Sequence, residues 1–99
     1  MTELLTSEMF TPHIGSAFAV RMGDHADVLT LVGVDELRHR GPDVSRPPFA
    51  LSFVGASTET LFDQQMLALD HPVMGVNEIM LTPCGREADR RFRYEAVFN

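Results

Sequence analysis

Asp70 and His71 are adjacent, and no other acid–imidazole pair in this sequence is better placed for acid–base chemistry. A carboxylate beside an imidazole can fix its tautomer and make it an oriented base for hydrolysis. Adjacent residues of a strand point to opposite faces, however, and His71 precedes Pro72 at the end of an apolar run. We therefore predict that His71 hydrogen-bonds backbone groups at a strand end. A hydrolase using His71 with a carboxylate stays an alternative.

The remaining histidines and the single cysteine show no metal-binding or nucleophile pattern. No H-x-H or H-E-x-x-H spacing joins His13, His25 and His39. A D-H-x-D turn at residues 24–27 could hold a weak surface cation, although such turns usually bond their own backbone. Cys84 lies in a Pro-Cys-Gly turn with no predicted helix start to lower its thiol pKa, so we predict a half-buried structural thiol. The sequence thus predicts no catalytic residue, metal site or cofactor.

One cluster of basic residues stands out near the carboxyl end. It consists of Arg86, Arg90, Arg91 and Arg93. Three acids are interleaved with these four arginines, so the local charge is only about +1 by count. Such a mixed run is typical of a solvated hairpin with cross-strand ion pairs. We keep the four arginines and His71 as weak candidates for contact with a partner.

The composition limits the class of protein. The chain has 99 residues, which suit a single domain, and its hydrophobic content of 44% is ordinary for a folded protein. The net charge is −6, with seven acids and four bases in each half, so we expect no nucleic-acid partner. A lone cysteine, the lack of a signal-peptide pattern and the lack of a long apolar run favour a cytoplasmic protein without membrane contact.

Short apolar runs with two-residue alternation predict six strands that would position these side chains. The predicted strands cover residues 16–22, 28–37, 49–54, 65–70, 76–82 and 91–98. A short helix is predicted over residues 4–10, ended by Pro12. The last strand should direct Phe92, Tyr94, Ala96 and Phe98 inward. Even spacing and the absence of long helical periods predict an all-β fold, a small antiparallel barrel or sandwich over residues 1–99.

The connections are predicted from turn-forming residues. Residues 23–27 form a polar turn, and the Arg- and Pro-rich residues 38–48 form a loop. Gly33 inside the second strand suggests a bulge or bend. The Pro-Cys-Gly turn at residues 83–85 should end the fifth strand, with a polar loop over residues 86–90. For residues 58–63 a turn and a single helical turn both remain open, because periodicity does not separate them in so short a run.

Several short motifs resemble those of a small uncharacterised bacterial family, a domain of unknown function. They are G-x-x-F at residues 15–18, F-x-L-S-F around residues 49–53, a Gln-to-His strand at residues 64–71, the Pro-Cys-Gly turn and, most specifically, R-Y-E-A-V-F-N at residues 93–99. This chain has L-F-D-Q-Q-M where the family has L-P-Q-G-T-Y. The family is similar to proteins encoded beside phage-tail-collar-like genes. The resemblance implies a small assembly or accessory module, and it implies no catalytic residues.

We therefore expect a non-enzymatic module that self-associates or binds a protein partner. An all-β chain must pair, cover or close its strand edges, and contact with another chain is one way to cover them. A small-ligand-binding barrel is the alternative, with a cavity lined by Phe18, Phe49, Phe53, Phe92 and Phe98. Six strands usually leave an interior that side chains fill, which argues against that cavity.

Overall fold

Six antiparallel strands form a closed barrel in the computed structural model, which describes residues 5–37 and 48–98. The strands are β1 (Ala17–Met22), β2 (His25–Glu36), β3 (Phe49–Gly55), β4 (Gln65–His71), β5 (Gly75–Arg86) and β6 (Phe92–Phe98). Their order around the barrel is β1-β2-β3-β6-β5-β4, and β4 closes on β1. The all-β prediction is confirmed, and of the two architectures left open the barrel is correct. The predicted loop over residues 38–48 lies outside the described residues except for Pro48.

The short N-terminal helix is also confirmed. It is α1 (Ser7–Phe10), and a 3₁₀ turn over Thr11–His13 follows it directly. The predicted helix start at Leu4 lies outside the described residues. Pro12 does not stop the helical path. It is the second residue of the 3₁₀ turn, where a missing backbone N–H costs no hydrogen bond. Within the described ranges no helix is long and apolar enough to cross a membrane.

The hairpin between β1 and β2 is tighter than predicted. Met22 pairs directly with His25, so only Gly23 and Asp24 remain in the turn. Gly23 has a φ of +61°, a left-handed conformation that costs glycine little. The predicted five-residue turn is therefore wrong in extent, and Asp27 belongs to β2. The bulge predicted at Gly33 is confirmed, since the β2–β3 register shifts between Leu31 and Gly33.

The fifth strand does not end where its turn-forming residues predicted. It continues through Pro83 and Cys84 to Arg86, with a register shift against β6 between Pro83 and Arg86. Gly85 has a φ of +122°, which allows a bulge in place of a break. Hydrogen bonding to β6 therefore outweighs the tendency of the Pro-Cys-Gly residues to end the strand. Arg86 is consequently a strand residue, and the hairpin loop covers residues 87–91.

Both ends of the barrel are covered by other parts of the chain. At one end Phe10 of α1 is fully buried against the aromatic rings of Phe18, Phe49 and Phe98. At the other end residues 56–64 cross from β3 to β4, which are not neighbours in the barrel. This crossing contains bends and no helix, and Ser57 Oγ accepts the backbone N–H groups of Glu59 and Thr60. The turn left open for residues 58–63 is thus the correct alternative.

The interior is a single apolar core made by the alternating inward positions of all six strands. Phe92, Tyr94 and Ala96 of β6 are buried as predicted, and Phe98 is half-buried. Tyr94 Oη accepts the backbone N–H of the buried Phe62 at 3.1 Å, which ties the crossing segment to the core. Each fully buried aromatic side chain contributes several kcal/mol of hydrophobic stabilisation, of order 2 to 3.

Candidate functional site

His71 lies at the end of β4, buried beneath the 3₁₀ turn. Its Nδ1 accepts the backbone N–H groups of Val73 at 3.0 Å and Met74 at 3.2 Å. The ring also packs 4.6 Å from the ring of Phe18 and 4.5 Å from that of His13, centroid to centroid. Bonding to backbone at a strand end is the role that the sequence predicted for His71. The side chain shapes the turn between β4 and β5.

A serine that the sequence analysis did not single out completes this cluster. Ser16 Oγ lies 3.0 Å from His71 Nε2 and 2.6 Å from the carbonyl oxygen of His13, to which it donates. Because Nδ1 accepts two N–H groups, the neutral ring carries its proton on Nε2 and donates it to Ser16. A general base would instead need a free Nε2 lone pair directed at the serine hydroxyl. The hydrogen bonds therefore run opposite to those of a Ser–His nucleophile pair.

Asp70 does not meet the imidazole of His71. Asp70 is exposed on the outside of the barrel, whereas His71 is buried on the inside, as strand alternation predicted. The two residues therefore have separate surroundings. Among residues 5–37 and 48–98, no group of three His, Cys, Asp or Glu side chains converges as metal ligands would. His39, one of the four histidines, lies outside those ranges.

Stability should depend on the protonation of His71. Burial lowers the pKa of His71 below its ordinary value of 6.5, His13 adds to the effect, and Asp70 opposes it. The unfolded chain then binds a proton at higher pH than the folded chain does, so the free energy of unfolding falls as the pH drops below 6.5. We expect urea unfolding between about pH 8 and about pH 5 to show a steeper loss for the wild type than for His71→Gln. Equal slopes would contradict this assignment, since the two proteins differ only at residue 71.

Asp27 is a second buried polar residue, and sequence reasoning placed it in a surface turn. Its Oδ1 accepts the N–H of Val28 at 2.8 Å and of Ser57 at 3.1 Å. A Cβ added to Gly55 would lie only 2.6 Å from Asp27 Oδ2, so only glycine fits beside this carboxylate. Burial raises the pKa of the Tyr94 hydroxyl, and the charge of Asp27 raises it further. Asp27 thus anchors the start of the crossing segment. Asp27 lies on the same face of β2 as the buried Leu29 and Leu31, and this alternation in the sequence could have revealed that Asp27 is buried.

The arginine cluster forms the solvated hairpin that the sequence predicted. Arg91 Nε lies 2.7 Å from Asp89 Oδ2, and Arg93 Nε lies 3.3 Å from Glu87 Oε2. The guanidinium of Arg86 stacks 4.4 Å above the ring of Phe92. Arg90 occupies a turn with a φ of +76°. Because Arg86, Arg91 and Arg93 already have partners on their own hairpin, the cluster offers little free charge to another molecule. Its role as a partner contact stays a prediction.

Two further sequence predictions concern Cys84 and the phenylalanines. Cys84 is exposed on the β5 bulge, so the prediction of a half-buried thiol is wrong. The five phenylalanines proposed to line a ligand cavity are packed into or against the core, where Phe18 meets Phe53 at 5.6 Å and Phe49 stacks on Phe98 at 4.5 Å. A ligand would have to separate such rings. Ligand binding there stays a prediction.

The outside of the barrel carries an apolar groove of about 600 Å³ over the junction of β1 with β4. Its apolar walls are Ala19, Ala26, Val28, Ala68 and Val76. Outward positions of a strand in water are usually polar, yet Val76 is 63% exposed and Val28 43%. Met66 and Met80 extend this surface as a directly facing cross-strand pair, 54% and 44% exposed. We call these seven residues the apolar face.

Besides the buried Asp27, whose carboxylate accepts backbone N–H groups, two charged residues line the groove, namely Arg21 of β1 and Asp70 of β4. Both are exposed, and neither forms an ion pair within the part of the chain that the structure describes. The β1–β4 ladder has only two pairs, Ala19 with Asp70 and Val20 with Leu69. The groove thus combines apolar walls with one unpaired charge of each sign.

Comparison with known proteins places the chain in a family. A family model described as a domain of unknown function, DUF6916, matches residues 5–98. The chain belongs to the DUF6916 family. Searches of the curated proteins and of the solved structures found no match to this chain. The resemblance found in the sequence is therefore confirmed as far as an uncharacterised domain family.

The DUF6916 match covers all six strands, α1 and the 3₁₀ turn. His71, the arginine hairpin and the groove over β1 and β4 all lie inside the matched residues. The family description names no activity, ligand or partner. What this DUF6916 domain does must accordingly be argued from its surface.

Proposed function

We propose that this DUF6916 domain is a non-enzymatic structural module that works by associating with further copies of itself. The observation that carries the proposal is the apolar face on the outside of a closed barrel. Exposed apolar surface that spans several strands marks interaction sites in water-exposed proteins. Here it extends over β2, β1, β4 and β5, on residues whose inward neighbours already form the core.

Closure of the barrel directs association to this face. The sequence argument for an interaction role rested on strand edges, which bind other strands through unpaired backbone groups. Each of the six described strands has a neighbour on both sides, so the edges are largely used within the chain. Side chains on the outer surface then remain as the means of contact. Burial of Val28, Val76, Met66 and Met80 would contribute roughly 1 kcal/mol for each side chain that becomes fully covered, because about half of each is already covered in the single copy.

The surroundings of His71 support a role without catalysis. The Nδ1 and Nε2 atoms are both engaged in bonds that hold the turn and Ser16 in place. Removing a proton from Ser16 would require the imidazole to release two backbone N–H groups first. The cluster therefore acts as a brace between β4 and the 3₁₀ turn.

Self-association can be tested by light scattering on purified protein from low to high micromolar concentration. We expect the mass to rise from monomer to dimer over this range. Ala68→Arg places a long charged side chain in the groove and should keep the protein monomeric at every concentration, because the added bulk holds the two surfaces apart.

Ala17→Arg is the matched control, since Ala17 faces outward on β1 but does not line the groove. It should dimerise as the wild type does, and circular dichroism should show the same fold in all three proteins. A wild type that stays monomeric at high micromolar concentration would overturn the proposal.

We further propose that the module works in the cytoplasm as an accessory of a phage-tail-like assembly. The support is the likeness of its motifs to a family similar to proteins encoded beside phage-tail-collar-like genes. The test is co-expression with a tail-collar-like protein encoded beside its gene, followed by co-purification. Recovery of a stoichiometric complex is expected, and its loss in Ala68→Arg would assign the contact to the groove. Failure to co-purify under low and moderate salt would contradict this role.

A further inference from the structure

We infer that two copies pair through the groove about a two-fold axis, with Arg21 of each copy against Asp70 of the other. This inference rests on the proposed self-association and specifies its geometry. The observation behind it is the placement of four outward residues around the β1–β4 junction. Two lie on β1, Ala19 and Arg21, and two on β4, Ala68 and Asp70.

These four residues form a compact quadrilateral. Ala19 is directly beside Asp70 in the β1–β4 register. Continuing that antiparallel register by two residues places Arg21 beside Ala68, because outward positions recur every second residue. The two charges then occupy one diagonal and the two alanines the other. Both diagonals share the same midpoint, near the floor of the groove.

A two-fold axis through that midpoint makes the surface complementary to itself. An axis lying in the interface and perpendicular to the line from Arg21 to Asp70 carries each charge to the position facing its opposite. The alanine diagonal runs close to this axis, so the same rotation places Ala19 of one copy near Ala19 of the other and Ala68 near Ala68. Isologous dimers require such a patch, in which residue i contacts j and j contacts i.

The charges of the groove favour a second copy over another kind of partner. A strongly acidic or basic partner would be matched by a groove of a single sign. The exposed charges of this groove are one cation and one anion, both without an ion-pair partner among residues 5–37 and 48–98, since the third charged lining residue, Asp27, is buried. Its best complement is a surface with the same two charges at the same spacing. A second copy supplies that surface although each chain has a net charge of −6.

The small alanine side chains along the axis allow the two sheets to approach closely. Alanine projects only a methyl group, so the backbones of β1 and β4 can come near those of the other copy. Val28 and Val76 lie on the flanking strands β2 and β5 and would close around this centre. Apolar contact would then supply affinity, while the two ion pairs fix the orientation and disfavour other alignments.

Charge reversal tests this geometry directly. Arg21→Asp and Asp70→Arg should each weaken dimerisation about tenfold or more, because every dimer then contains two like-charge contacts. The double variant Arg21→Asp/Asp70→Arg should return to within about threefold of the wild type. An equimolar mixture of the two single variants should form heterodimers, because both acidic positions of one then face both basic positions of the other. Analytical ultracentrifugation and native mass spectrometry measure these outcomes.

Arg90→Asp is the matched control, with the same change of charge on the hairpin away from the groove; it should leave the dimer unchanged. If the wild type dimerises but the double variant and the mixture show no recovery, the two-fold pairing is wrong while self-association stands. If the wild type is monomeric throughout, both proposals are wrong. If Arg90→Asp weakens the dimer as much as Arg21→Asp does, net charge rather than pairing governs association, which also overturns the inference.

Discussion

Replacing Phe10 by alanine is expected to lower the free energy of unfolding by about 3 to 5 kcal/mol. The ring is fully buried and lies 6.1 to 6.5 Å from three other aromatic rings, centroid to centroid. A four-residue helix has no stability of its own, so α1 depends on this side chain to stay docked. Its loss opens one end of the barrel to water. Urea unfolding followed by far-ultraviolet circular dichroism measures the change.

Two further variants separate packing from local fraying in the Phe10 experiment. Phe10→Leu keeps most of the apolar volume and should cost less than half as much as alanine. Val73→Ala removes apolar atoms from a side chain that is 74% exposed and should stay within about 0.5 kcal/mol of the wild type. If Phe10→Ala were as stable as Val73→Ala, the helix would contribute nothing to the barrel. Hydrogen exchange at residues 7–13 would show whether the helix alone is released.

His71→Ala is expected to cost about 2 to 4 kcal/mol at neutral pH. Removing the imidazole leaves the N–H groups of Val73 and Met74 without their acceptor and Ser16 without its Nε2–H donor. It also leaves a space beside Phe18, against which the ring packs. The turn after β4 and the β1–β4 junction should therefore loosen before the rest of the barrel. Urea unfolding gives the total effect, and hydrogen exchange at residues 71–75 locates it.

The matched control for this substitution is His25→Ala. His25 is exposed at the start of β2, so its loss should change stability by no more than about 0.5 kcal/mol. An equal effect of the two substitutions would mean that the buried hydrogen bonds contribute nothing. Wild-type stability in His71→Ala would contradict the bracing role of this side chain.

Local alternation determined most of the strands, because a side chain's face depends only on its parity along the strand. Phe18 and Val20, Ile79 and Leu81, and Tyr94 and Ala96 are buried in the phase that the sequence predicts. Turn residues were weaker guides. The Pro-Cys-Gly segment has the local composition of a break, yet the β6 ladder carries β5 past it by way of a bulge. A local rule cannot include a hydrogen-bonding partner from another part of the chain.

The polar anchors show the same limit. The sequence predicted that His71 would bond backbone, since its position before Pro72 is visible locally. It did not reveal Ser16, which is 55 residues away along the chain. Asp27 was placed in a turn, although its carboxylate accepts an N–H 30 residues further on. Only its phase with Leu29 and Leu31 hinted at burial. Contacts of such separation are set by how the barrel closes.

The sequence by itself determined an all-β chain of six strands with a short helix, an apolar interior and membership of an uncharacterised family, because these depend on local pattern and on motif. Alternation along β1 also separates the face of Phe18 and Val20 from Ala19 and Arg21. Only the tertiary structure decided that β4 closes on β1 and so brings Ala68 and Asp70 beside them. Strand order depends on the sum of contacts across the whole core, which no local window contains. The groove from which self-association is proposed exists because of that closure.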